Sequence, residues 1–159
     1  MKVSEIFDTV DHISESALEA NVSTLIPKNS VLIVVRSGIL QRTLPVAINK
    51  VPVTINQDMK AFIPYADLSS NFLAWWFRGK EAIFLENVKG GTTVQSLVWD
   101  KVSNFEVAIP SLSEQQHIVA YLDDLQAKVD VLKRIQAETS AELDALLPSV
   151  LDKAFKGEL

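Results

Sequence analysis

The chain has 159 residues, 48% of them apolar and 22% charged, with no cysteine and a formal net charge of −5. That balance belongs to a folded protein and excludes a disordered one, and the lack of cysteine excludes disulfides and thiolate chemistry and fits a reducing cytoplasm. The first residues hold no apolar signal core, and the longest apolar runs, such as residues 31–35, are far too short to span a bilayer.

Along the chain, residues 13–20 predict a short helix capped by Ser14, and a turn follows around Pro27 and Asn29. Residues 31–36 are a continuous β-branched run, the pattern of a buried strand, broken by Ser37 and Gly38. Two further apolar, β-branched runs occupy 45–49 and 51–55, and 60–63 is another strand candidate, ended by Pro64. Asp67 or Ser69 is placed to cap a helix carrying Phe72, Leu73, Trp76 and Phe77 and running on to Phe84 or Leu85. Gly90 and Gly91 mark a turn, and 94–99 and 105–109 add apolar material. The three tryptophans, Trp75, Trp76 and Trp99, read as core or interface. The expected fold class is α+β: a small mixed globule over 1–109, followed by a long helix over 110–159.

That helix is strongly specified. Ser113 with Gln116 has the spacing of a capping box, and Pro110 blocks extension backwards. Ile118, Leu122, Leu125, Val129 and Leu132 follow in alternating steps of four and three, the seam of a coiled coil. Gln136 and Thr139 interrupt the seam, and Leu143, Leu146 and Val150 resume it; a polar break costs stability but fixes register. Pro148 predicts a kink or a second helix start. Gly157 is a stop, with Lys153 and Lys156 suited to the helix dipole. From 114 to 147 the helix would be roughly 50 Å long at 1.5 Å per residue. So narrow a stripe on so long a helix calls for a partner helix.

Charge is unevenly distributed. Residues 28–101 carry nine basic and five acidic side chains, while 1–27 and 113–159 are each net acidic. The acidic helix is unsuited to phosphates; the central segment could meet them, but +4 over 74 residues is also what an ordinary surface carries.

A search for catalytic chemistry finds little. His12 and His117 lack metal-ligand spacing. Asp58 with Lys60, and Glu86 with Lys89, resemble a nuclease cluster only in their short acid-to-lysine spacings. Residues 90–93, Gly-Gly-Thr-Thr, could cradle phosphate through backbone amides but lack the ending of a P-loop. No catalytic residue, metal or cofactor is expected. What remains is a set suited to reading bases. Arg36, Gln41, Arg42, Asn56 and Gln57 follow strand candidates, and Arg grips guanine edges while Asn and Gln grip adenine edges. Lys60, with Lys28, Lys80, Lys89, Thr92 and Thr93, is suited to phosphates, which fix register. Residues 56–58 read equally well as a turn whose side chains bond their own backbone.

The segment IPSLSEQQHIVAYLDDLQAKVDVLKRIQAETSAELDALLPSVLDKAFKGEL resembles the helical region of the DNA specificity subunits of Type I restriction–modification systems. Upstream, VLIVVRSGILQRTLPVAI, VTINQDMKAFIP and GGTTVQSL are similar to the later half of a target recognition domain in that family. The resemblance implies a non-catalytic subunit in which two recognition domains each bind half of a bipartite DNA target through the major groove. Antiparallel helices between them act as a ruler and dock methyltransferase subunits, and a restriction subunit joins to cut. A 50 Å helix would span about 15 base pairs at 3.4 Å each.

Members of that family usually carry two recognition domains and two helices, whereas this chain has one of each and only 30 residues before the VLIVVR strand. The expectation is therefore a half-subunit with an N-terminally shortened recognition domain, homodimerising through Ile118, Leu122, Leu125, Val129, Leu132, Leu143 and Leu146. Its expected partners are double-stranded DNA and the methyltransferase and restriction subunits, without a membrane. Rival readings are a helical adaptor that assembles with partner subunits without reading DNA, and a nuclease built on Asp58, Glu86 and Lys89.

Overall fold

A computed structural model describes residues 3–19, 24–90 and 94–157. The chain divides into two compact units, Met1–Val119 and Ala120–Leu159. The first is an α+β unit, and one helix, Leu112–Lys156, begins in it and makes up the described part of the second.

The core of the first unit starts from the two runs whose side chains are apolar on both faces. Val31–Val34 (β2) and Val46–Asn49 (β3) pair antiparallel as the central strands of a four-stranded sheet. Met59–Phe62 (β4) pairs antiparallel with β2 on one side, and Glu5–Ile6 (β1) runs parallel to β3 on the other. The strand order is β1-β3-β2-β4. β1 covers the free edge of β3, a role that the sequence pattern does not signal. Between the strands lie a short helix, Glu15–Glu19 (α1), and a 3-10 turn, Gly38–Gln41. Ser14 caps α1 as predicted, its hydroxyl accepting from the Ala17 amide at 3.3 Å.

One face of the sheet is covered by Ser70–Gly79 (α2) and Glu81–Leu85 (α3). Ser69 caps α2, and the predicted single helix breaks at Gly79 and Lys80 into two. Glu81, at the start of α3, accepts from the Thr43 hydroxyl at 3.0 Å and the Leu44 amide at 3.2 Å, tying the helix to the loop before β3. Val31, Ile33, Val46 and Ile48 meet Leu73, Phe77 and Phe84 in the core. The tryptophan expectation holds for two of the three. Trp76 packs edge-on against Phe77, Phe84 and Phe105 at 5.2–5.7 Å between ring centres, and Trp99 packs against Phe62 at 5.9 Å. Such pairs add about 0.5–1.5 kcal/mol beyond area burial.

Val88–Gly90 (β5) and Gln95–Leu97 (β6) form a two-stranded antiparallel hairpin, followed by Trp99–Ser103 (α4). One expectation needs correction. Residues 51–55 are not a strand: only Val53 bridges, to Ile26, because Asn49 turns the chain by spanning the Pro27 and Val51 carbonyls at 2.8 Å each. Of the later apolar segments, 94–99 holds β6 and the first residue of α4, and 105–109 carries no regular structure.

The entry to the long helix (α5, Leu112–Lys156) also differs from the sequence expectation. The capping box is Ser111 with Glu114. The Ser111 hydroxyl accepts from the Glu114 amide at 3.3 Å, and the Glu114 carboxylate accepts from the Ser111 amide at 2.9 Å. A carboxylate is a stronger acceptor than the Gln116 amide, so the box forms two residues earlier. The helix continues through Pro148. No helix among the described residues is long and apolar enough to cross a membrane.

Candidate nucleic-acid interface

Three of the five predicted base-reading residues, Arg36, Asn56 and Gln57, gather where β2 ends. The Val35 and Arg36 amides both donate to the Asp58 carbonyl, at 2.8 and 3.2 Å. Two residues facing one is a β-bulge, a device that re-aims a side chain at the rim of a sheet. On the other side, Ser37 donates to the Gln95 carbonyl and Leu97 to the Val35 carbonyl, both at 2.9 Å, so the β5–β6 hairpin docks beside the same segment. Arg36 bridges Ser96, and Ser96 faces Lys89 across the hairpin. Residues in register on neighbouring strands share a face, which puts Arg36, Ser96 and Lys89 in one row.

Arg36 is exposed, and its guanidinium Nη1 lies 3.8 Å from Asp58 Oδ1. Gln41 closes the 3-10 turn, and Arg42 follows it; both side chains are exposed. Asn56 and Gln57 are exposed on the tight turn before β4. Asn56 Oδ1 accepts from the Asp58 amide at 3.0 Å, so the turn reading of residues 56–58 holds for that atom. Lys60 sits on β4 opposite Ile33, its ammonium 5.3 Å from the centre of the Trp99 ring, a cation–π distance. Lys89 is exposed on β5, while Thr92 and Thr93 lie outside the described residues. The structure thus brings Arg36, Asn56, Gln57 and Lys89 around one bulge and its flanking turn and hairpin, with Lys60 further along β4.

The second candidate surface is the seam of α5. Ile118, Leu125 and Val129 are 39–42% exposed, Leu132, Leu143 and Leu146 are 57–63% exposed, and Leu122 is half-buried. Val131, Ile135 and Leu147 widen the apolar surface beyond the predicted stripe. Surface ion pairs between Lys128 and Asp124 and between Arg134 and Glu138 decorate the helix at i,i+4 spacing.

Two glutamines that sequence patterns left unmarked prove important. Gln115, on the first turn of α5, is completely buried. Its Oε1 accepts from the Ser69 amide at 2.8 Å, and its Nε2 donates to the Asp67 and Pro110 carbonyls at 2.7 and 2.9 Å. Gln95 carries a buried Oε1 without a partner beside the Arg36 segment. A lone glutamine has no periodicity, so neither could be found without the fold.

The nuclease reading gains nothing from this geometry. Asp58 belongs to the bulge, Glu86 is exposed at the end of α3, and no group of three or more potential metal ligands occurs among the described residues. His12 pairs with Asp8 at 3.1 Å on the surface, and His117 is exposed. The Thr9 amide, aided by His12, holds the Asp8 carboxyl below its ordinary range.

Comparison with known proteins places this architecture. A family model described as the Type I restriction modification DNA specificity domain matches residues 3–140. The specificity subunit of the Type I restriction enzyme EcoR124I/EcoR124II from Escherichia coli is 41% identical over 115 residues, covering 71% of this chain and 28% of that subunit. The MjaIX specificity subunit from Methanocaldococcus jannaschii is 30% identical over 135 residues, covering 80% of this chain and 30% of that protein. Among solved structures, a chain from a study of complex assembly and conformational transition in the type I R-M system superposes with a TM-score of 0.71 at 32% identity, covering 86% of this chain and 33% of that one. The HsdS subunit from Thermoanaerobacter tengcongensis gives 0.55 at 31% identity, covering 85% of this chain and 31% of that subunit. The chain thus spans about a third of the length of these relatives.

Proposed function

The chain belongs to the Type I restriction–modification DNA specificity family, and from that membership we propose that it is a non-catalytic DNA-recognition half-subunit. In this reading residues 1–109 hold the reader and 110–159 the arm. Two copies pair through Ile118, Leu122, Leu125, Val129, Leu132, Leu143 and Leu146, and the paired helices hold two readers on a bipartite, symmetric target. The same arm docks methyltransferase and restriction subunits. Arg36, Gln41, Arg42, Asn56 and Gln57 contact base edges, while Lys60, Lys89, Thr92 and Thr93 contact phosphates.

The observation that carries this reading is the exposed polar set around the Arg36 bulge, held on a well-packed sheet. Base-reading side chains need a rigid support and a free edge, and the backbone on both sides of Arg36 is fixed by hydrogen bonds. The exposed seam supports pairing, since one copy leaves its apolar edge in water.

The test is selection of bound duplexes from a random-sequence library by the whole chain. The expected result is an interrupted, two-part site. Arg42→Ala should weaken binding to the selected duplex by about 1–3 kcal/mol, the worth of a bidentate base contact. Failure to enrich any sequence would overturn the reading. Co-purification with a methyltransferase subunit, without a DNA shift at low salt, would replace it with the adaptor reading.

A further inference from the structure

Among the described residues, two buried side-chain acceptors have no hydrogen-bond partner, Asp58 Oδ1 and Gln95 Oε1. Both border the same short segment: Asp58 faces the Val35–Arg36 bulge, and the Gln95 carbonyl accepts from the Ser37 amide. Buried polar groups in folded proteins almost always find partners, so an orphaned pair at one place calls for a donor. The nearest charged donor to Asp58 is the Arg36 guanidinium, at 3.8 Å, inside ion-pair range but beyond a hydrogen bond.

We propose that Asp58 is a positioning residue that aims Arg36 at a guanine, the two closing to a hydrogen bond when DNA is bound. The proposal rests on the DNA-reading function above. A guanidinium carries five N–H donors in a planar fork. One edge can engage the carboxylate while another presents paired donors to O6 and N7 of guanine in the major groove. The carboxylate has a fixed origin. Its residue's amide is held by Asn56 Oδ1 and its carbonyl by the Val35 and Arg36 amides, so the Asp58 backbone is anchored on three hydrogen bonds. The side chains of Arg36 and Asp58 are 52% and 39% exposed, which leaves room for a base edge to reach the pair.

The same carboxylate sorts the ligand. An unaccompanied Arg at the rim of a sheet binds any phosphate, whereas an Asp beside it repels phosphate and tolerates the neutral base edge. Asp58 thus gives up charge attraction for selectivity. Lys89, in the same row as Arg36, keeps a cation for the neighbouring phosphate without such a companion among the described residues.

The experiment takes the full chain as wild type, Arg36→Lys, Asp58→Asn and the double variant through selection from one random duplex library. Binding to the wild-type winner and to a scrambled duplex is then compared. Asp58→Asn keeps the backbone hydrogen bonds of the bulge, and a thermal melt checks that it folds. The expected result is that both single variants lose about tenfold discrimination for guanine at one and the same position, the size of a bidentate contact. The double variant is no worse than either, and Asp58→Asn binds the scrambled duplex more tightly than wild type. Relaxation at two different positions would overturn the proposal, as would an intact guanine preference in Asp58→Asn, while the wild type's own selected site would leave DNA reading standing. A wild type that enriches no sequence removes both.

Discussion

The two compact units spend their apolar side chains in opposite ways. In the first, Leu40 is 2% exposed and Phe84 1%, the latter closed in by Trp76 and Phe77 of α2 and by Phe105 after α4. In the second, Leu143 is 63% exposed, and among the described residues no side chain beyond Leu122 is buried. Residue type does not separate the two; spacing does. The β-branched runs of β2 and β3 bring every side chain against a neighbour within one copy, whereas a stripe at steps of three and four meets nothing until a second helix arrives. One unit closes its apolar side chains within a single copy, and the other leaves its stripe exposed there.

That contrast can be broken experimentally. The largest effect is expected from Leu125→Asp combined with Leu132→Asp. Each copy contributes two leucines, each worth about 1.5–3 kcal/mol when buried, so dimer stability should fall by roughly 6 kcal/mol or more. Sedimentation velocity should show a monomer, with the melting of the globule unchanged. A wild-type chain that is itself monomeric at tens of micromolar would end the contrast, since the exposed stripe would then have no partner among its own copies. The converse variant is Phe84→Ala. It removes a fully buried ring and should cost the globule about 3–5 kcal/mol. Its melting temperature should drop sharply in a thermal scan while pairing persists below that transition.

The smallest effect concerns the entry of α5, which lies within the first unit. The Ser111 hydroxyl and amide hold the Glu114 carboxyl below the ordinary carboxylate range. A group whose pKa is depressed by folding stabilises the fold above its unfolded value and loses that contribution as the pH falls through the lowered one. Acidification through that window should therefore fray the first turn of α5, read as faster amide exchange at Glu114, while Glu114→Gln should flatten the pH dependence.

How much of this was legible beforehand depends on whether a residue's role shows in a pattern. The strands β2, β3 and β4, the Ser69 cap and the seam were legible because periodicity and capping residues carry them. The short helix α4 was not, because five residues between two apolar segments offer no period of their own. The run 51–55 looked like a strand by composition, but the Asn49 side chain bends the chain there. At the candidate interface, Arg36 was legible as a cation after a strand. Asp58 was read only as part of a short acid-to-lysine spacing and of a turn, because its place against Arg36 depends on the bulge and not on sequence spacing.

Gln115 carries one more consequence. Its buried amide accepts from the backbone of the α2 cap residue, Ser69, and closes the Asp67 and Pro110 carbonyls, so the opening turns of the rod are woven into the globule's own masonry. Severing the polypeptide ahead of Leu112 would tear a plug from the globule; severing it past Val119 would spare that plug. The rod is thus rooted in the body it serves.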